Sequence, residues 1–237
     1  MSGPVAEFPA GRDRVVMTRV AVCSRSFSAH QVLRAELLAK YPNARFNDDG
    51  ISLIGEHLID FLSDADKAIV ALEVLDQDTI ARLPNLQIIG KYGVGLDKLD
   101  LSALAAAGIQ LGWTAGVNSR SVAELVIVLA ISLLRQIPFA THEIKERRWR
   151  QQVGRQLSGQ TVGIVGCGHV GTDLVRLLQP FGCRILAHDI IDQTAFYTEF
   201  GVEPMALDPL LEQADFVSLH IPLDPSTRNL MSRDRRG

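Results

Sequence analysis

The stretch Thr161–Leu178, TVGIVGCGHVGTDLVRLL, constrains the fold more than any other part of the chain. A short β-rich run leads straight into Gly166-Cys167-Gly168-His169-Val170-Gly171, and a helical pattern follows. Glycines at this spacing are common. Placed after a strand and at the start of a helix they acquire a mechanical meaning. Gly166 makes the tight turn, Gly168 lets the backbone approach a pyrophosphate, and Gly171 lets the helix pack close to the strand. The first N–H groups of the helix have no intrahelical acceptor and carry a partial positive charge, which suits phosphates. The next strand pattern, RILAHD, ends at Asp189, 18 residues after Gly171. That is close to the spacing of about 20 at which an acid meets the adenosine ribose. A carboxylate there accepts from the ribose hydroxyls and repels a 2′-phosphate. Ile190 and Ile191 follow, with no arginine, so the pattern favours NAD over NADP. A glycine turn beside an unrelated acid would explain part of this. Strand, turn, helix, strand and acid together favour the dinucleotide.

Upstream, strand and helix patterns alternate. Thr18–Cys23, Lys67–Leu72, Leu86–Gly90 and Ile109–Trp113 read as strands. Ser28–Lys40, Gly55–Leu62, Asp78–Leu83 and Leu101–Ala107 read as helices, several ended by Pro or Gly. Such alternation predicts an α/β protein with parallel sheets and helices on both faces. Ser121-Val-Ala-Glu124 has the spacing of a capping box, and Ser121 and Glu124 read as a cap rather than a catalytic pair. The helix that follows to Leu134 is apolar nearly all round, so burial against a core or another subunit is expected. The charged run His142–Arg155 reads as a solvated helix face. After Gln160 come a strand (TVGIVG), a helix (Val170–Leu178), a strand (Arg184–Asp189), a short helix (Ala206–Glu212) and a strand (Asp215–His220).

Composition removes several classes of function. The 24 basic and 27 acidic residues give a net charge of −3, with no global field for nucleic acid. The longest apolar run is too short to span a membrane, and the N-terminus lacks the apolar core of a signal peptide. Residues 1–16 read as a flexible tail, with Met1 or Met17 as the start. Cys23, Cys167 and Cys183 are odd in number and share no C-x-x-C spacing, which fits a reduced, cytoplasmic setting. His30, His57, His142 and His188 show no metal-ligand spacing, so no metal is expected. Cys167, near a helix N-terminus, is open to a lowered thiol pKa, yet reads as packing rather than nucleophile.

Four segments in order, LPNLQIIGKYGVGLDKLD, GVNSRSVAEL, GQTVGIVGCGHVG and ADFVSLHIPLDPSTRNLMSRDR, make the chain resemble the D-isomer-specific 2-hydroxyacid dehydrogenases, most closely the D-3-phosphoglycerate dehydrogenase-like branch. The resemblance implies a flavodoxin-like substrate domain over 17–115 and an NAD-binding Rossmann domain over 116–237, the latter incomplete. It implies that backbone N–H groups of Gly93, Val94 and Gly95 hold the carboxylate of a small 2-hydroxy or 2-keto acid, with Val94 also bordering the nicotinamide. His169 and Val170 match the pyrophosphate turn and Asp189 the ribose acid. His220, Ile221 and Pro222 match the segment passing the adenosine, which argues against His220 as the catalytic base. The family dimerises through its second domain, which suits the apolar helix 121–134. Trp113-Thr114-Ala115 replaces the common Asn-Thr-Pro, and Lys98-Leu99 the common Asn-Ile.

The same resemblance puts the family's catalytic Arg, Glu and His beyond Gly237, so no catalytic residue is assigned within the chain. The expectation is an NAD-dependent 2-hydroxyacid dehydrogenase inactive as this polypeptide. The alternative is a non-catalytic NAD-binding or interaction remnant. A strand at 215–220 without later neighbours would leave an open sheet edge, with poor solubility.

Overall fold

The computed structural model describes residues 18–232. The expected N-terminal tail and the last five residues lie outside them. The chain divides into two compact units, the first ending at Thr114 and the second beginning at Ala115.

The first unit builds a five-stranded parallel sheet from β1 (Val20–Val22), β2 (Arg45–Phe46), β3 (Lys67–Val70), β4 (Ile88–Lys91) and β5 (Gln110–Gly112), in the order β2-β1-β3-β4-β5. This is the flavodoxin-like order. Helices α1 (Arg25–Ala29), α2 (Gln31–Lys40), α3 (Glu56–Leu62), α4 (Gln77–Ala81) and α5 (Leu101–Ala106) connect the strands. Because β1 lies inside the sheet, its alternating residues serve two cores. Ala21 joins Leu58, Leu62, Val70, Ile89 and Leu104 on one face, while Val22 joins Phe27 and Phe46 on the other. The helix expected over 28–40 is two helices. His30 is extended (φ −84°, ψ 106°), and its imidazole Nδ1 accepts from the Leu33 N–H at 3.4 Å, so it caps a fresh start.

The second unit opens with α6 (Ser119–Leu134) and α7 (Ile137–Lys145), then forms β6 (Thr161–Val165), α8 (His169–Leu178), β7 (Arg184–His188), α9 (Thr194–Phe200), β8 (Glu203–Pro204), α10 (Leu207–Gln213) and β9 (Phe216–Leu219). The parallel sheet runs β8-β7-β6-β9. Counted from β6 this is 3-2-1-4, the first part of the Rossmann order. The β6–β9 register pairs Val162 with Phe216 and Val165 with Leu219. One core gathers Ile164, Leu174, Val175, Leu178 and Ile185; the other gathers Val165, Leu186, Leu207 and Leu210.

Helix α6 departs from expectation in two ways. It starts at Ser119, so Ser121 lies inside the first turn, and its hydroxyl donates to the Asn118 carbonyl at 2.9 Å instead of accepting as a cap. Its all-round apolarity does not produce all-round burial either. Only Ala123 and Ala130 are buried, while Leu125, Val128, Leu129 and Leu133 are 52–73% exposed. The charged run after His142 is helical only to Lys145. Among the described residues β9 is an edge strand, and a groove of about 590 Å³ lies along it against Leu129, Leu133 and Val153. No single helix among the described residues is long and apolar enough to cross a membrane, and no group of three or more His, Cys, Asp or Glu is placed to hold a metal.

Candidate functional site

In the second unit the three glycines of the turn after β6 do three different things. Gly166 has φ +91°, and a Cβ there would lie 2.8 Å from the backbone of His220 and from Ile221 Cγ2. Left-handed backbone and the absence of room both require glycine. A Cβ on Gly171 would lie 2.3 Å from the Gly166 carbonyl oxygen, so the first turn of α8 rests directly on the loop. A Cβ on Gly168 would meet nothing within 4 Å. Gly168 therefore faces open space, and it is the N-cap of α8 with no side chain to occupy the free N–H groups. Those groups, at Gly168, His169, Val170 and Gly171, lack intrahelical acceptors, an arrangement that suits an anion.

Asp189, one residue beyond β7, is aimed from the side. Its Oδ2 accepts from the Cys167 N–H at 2.6 Å and its Oδ1 from the Ile191 N–H at 3.0 Å. The strand-end acid thus tightens the glycine turn and holds its own carboxylate in place. Each oxygen keeps a lone pair for a further donor. Ile190 and Ile191 beside it are exposed. His220, one residue beyond β9, lies behind Gly166, with Nε2 2.9 Å from the Ser218 hydroxyl. Burial pushes the His220 imidazole below its ordinary pKa, so the neutral ring is favoured. Ile221 packs against the core below, and Pro222 continues the segment, its carbonyl accepting from the Thr227 hydroxyl at 2.7 Å. The structure gathers the expected residues of this unit around one turn.

Cys167 corrects the allowance for a lowered pKa. Its side chain is fully buried, and burial pushes the thiol up to about 11. Desolvation outweighs the helix terminus. The positioning role of Gly116 was not legible, although it lies in the GVNSRSVAEL segment. It has φ +70°, and a Cβ there would fall 2.5 Å from the His169 ring. Arg120 on α6 adds an ion pair to Asp173 on α8 at 2.8 Å, holding the two helices together.

Gly93, Val94 and Gly95 belong to the first unit, in the loop after β4. Gly93 has φ +122°, and the Val94 carbonyl accepts from the Trp113 indole N–H at 3.0 Å. The N–H groups of these three residues donate to no protein acceptor among the described residues. They remain available to an anion. Lys91, at the end of β4, places its ammonium 3.6 Å from where a Gly93 Cβ would stand, and burial lowers its pKa. No motif in the sequence marks Lys91.

Residues 127–235 match the family described as D-isomer specific 2-hydroxyacid dehydrogenase, NAD binding domain. Over those residues the chain carries the NAD-binding domain of the D-isomer-specific 2-hydroxyacid dehydrogenases, and its likeness to that family extends upstream. It is 33% identical over 196 residues to a hydroxypyruvate reductase of Thermotoga maritima, covering 79% of this chain and 63% of that protein. It is 35% identical over 184 residues to the D-3-phosphoglycerate dehydrogenase of Homo sapiens, and 32% over 182 to that of Mycobacterium tuberculosis. The matched part spans only 34% of either of these two dehydrogenases. Among solved structures, the D-lactate dehydrogenase of Aquifex aeolicus with NAD and lactic acid superposes with TM-score 0.77 at 21% identity, over 92% of this chain and 65% of that one. The pyruvate reductase of Chlamydomonas reinhardtii gives 0.76 at 24%, over 94% and 66%. At these identities the structures establish the fold. The fold, the glycine turn and the family model agree on NAD as the cofactor of the second unit.

Proposed function

We propose that this chain supplies the NAD-binding and carboxylate-binding parts of a D-2-hydroxyacid dehydrogenase. The observation that carries the reading is the open, uncapped cradle at Gly168 beside a carboxylate fixed by Cys167 and Ile191. NAD, when bound, exchanges a hydride with the substrate's C2. Gly168, His169, Val170 and Gly171 hold the pyrophosphate through backbone N–H groups, and Asp189 takes the ribose hydroxyls. His220, Ile221 and Pro222 flank the adenosine. The free N–H groups of Gly93, Val94 and Gly95 receive the carboxylate of a 2-hydroxy or 2-keto acid.

Reduction of a 2-keto acid also needs a cation at the carbonyl and an acid–base group at the hydroxyl. The resemblance puts those groups after the matched segments. The exposed face of α6, carrying Leu125, Val128, Leu129 and Leu133, is proposed as a homodimer interface. Three cysteines free of disulfides accord with a cytoplasmic setting.

Fluorescence titration with NADH and NADPH tests the cofactor assignment, with NADH the tighter by at least tenfold. Equal affinities would sink it.

A further inference from the structure

The first unit has its own topological switch point. From β1 the chain leaves to one side for β2 and returns on the other side at β3. Ligands of open α/β sheets bind at the carboxyl ends of the strands beside such a point. A groove of about 530 Å³ lies there, lined by Ser24, Arg25 and Ser26 after β1 and by Ala71, Leu72 and Glu73 after β3, with Ser52–Ile54 closing it.

Its chemistry is uneven. Glu73 is only 7% exposed, and its Oε2 accepts from the Ala71 N–H at 2.6 Å. The Ala71 carbonyl is gripped from elsewhere by the Lys91 ammonium. Both polar groups of Ala71 are therefore held by charged side chains, which fixes the loop and presents a buried carboxylate to the groove. Glu73 makes no salt bridge among the described residues; the Lys91 ammonium interacts with it electrostatically while donating to the Ala71 carbonyl, and Arg25, the other charged lining group, is exposed. The Ser24 hydroxyl is spent on capping α1, accepting from the Phe27 N–H at 3.2 Å.

We propose that this groove receives the far end of the substrate, and that Glu73 selects a 2-hydroxy or 2-keto acid ending in a hydrogen-bond donor, such as a hydroxyl, over one ending in a phosphate. The inference rests on the dehydrogenase reading above and names its substrate class. A carboxylate with little water around it favours donors and repels a dianion strongly, because the interaction is poorly screened. Specificity of this kind comes from what the site opposes as much as from what it attracts. An exposed arginine at the rim, free to move and well solvated, offsets little of that repulsion.

The test compares D-glycerate with 3-phosphoglycerate, which differ only by the phosphoryl group, binding to the full chain by calorimetry with and without NADH. D-glycerate is expected to bind at least tenfold tighter at low salt. Glu73→Gln should narrow the ratio to within about threefold, and Arg25→Gln should preserve it. Equal or tighter binding of 3-phosphoglycerate by the wild-type chain, no binding of either acid, or an unchanged ratio in a folded Glu73→Gln variant would overturn the proposal. Should Glu73→Gln not fold, the wild-type ratio and its persistence at high salt decide, and a ratio that salt abolishes would overturn the proposal. Failure of NADH to bind, with the D-glycerate preference intact, would instead count against the cofactor reading alone.

Discussion

The backbone N–H of Cys167 donates to Oδ2 of Asp189 at 2.6 Å, across 22 positions of sequence. One carboxylate therefore shapes the glycine turn and, in the proposed complex, takes the ribose. Asp189→Ala should weaken NADH binding ten- to hundredfold, the loss of about 1.5–3 kcal/mol expected for hydrogen bonds to a charged group. Asp189→Asn should keep part of it, since an amide oxygen still accepts from one N–H. Titration of intrinsic fluorescence with NADH measures both, and wild-type affinity in Asp189→Ala would refute the assignment.

The three glycines should separate folding from binding. Gly168→Ala, with open space around its Cβ, should melt within a few degrees of wild type yet lose most NADH affinity. Gly166→Ala should be destabilised, because φ +91° costs a non-glycine residue about 1–3 kcal/mol before its collision with His220 is counted. Thermal melts beside NADH titrations decide, and a stable, NADH-binding Gly166→Ala variant would contradict the geometry.

The exposed leucines of α6 predict self-association. Sedimentation should show a dimer, and Leu129→Arg with Leu133→Arg should shift it to monomer without loss of helical signal. A wild-type monomer at tens of micromolar would remove the proposed interface.

Thiol accessibility should follow burial. Cys23 and Cys167 are buried, and Cys183 is half-buried. Burial raises all three thiols, Cys167 to about 11. With a disulfide reagent at pH 8, Cys183 should react first and slowly, with the other two reacting only on denaturation. Rapid modification of Cys167 in the native protein would show that desolvation does not control it.

Acid should destabilise the fold in two stages. Burial lowers the His220 pKa, so its contribution is complete above the unfolded value near 6.5 and is lost as pH falls toward the folded value. Hydrogen bonds from Arg45, Arg82 and Arg184 lower Asp64, Glu56 and Glu203. Their contributions are present above the ordinary carboxylate range near 4 and lost as pH falls through the depressed values. These pairs are exposed, so high salt should blunt the second stage. Urea midpoints from pH 8 to 3 give the profile, and a midpoint flat to pH 3 would exclude both stages.

Much of this was legible in the sequence where local chemistry and tertiary demand coincide. The turn at Gly166–Gly171 is dictated by sterics within a few residues, and Asp189 sits at a strand end whose β-rich pattern is unambiguous. Legibility failed where one residue answered two masters. Ser121 has the spacing of a cap, yet Asn118 and the turn at Gly116 start the helix earlier. His30 looks like a helix interior by spacing, yet its extended backbone ends α1 and begins α2. Periodicity detects the apolarity of α6 but not which face finds a partner within the chain. The two-residue strands β2 and β8 carry too few positions to show any period. Glu73 and Lys91 meet at Ala71 only because β3 and β4 are neighbours, a juxtaposition no local pattern encodes.

The placement of β9 also orders events in time. Thr161 at the start of β6 donates to Asp215, 54 residues later, and Gly166 is backed by His220 at the far end of the same strand pair. A growing chain makes β6, the glycine turn and α8 long before it makes β9. Contacts of such separation carry a loop-closure cost before they return any stability. The turn proposed to receive the pyrophosphate therefore lacks its back wall until the final strand of the described sheet docks. Competence to bind the dinucleotide should arrive as one of the last steps of folding, and a nascent chain exposes an unfinished cradle until then.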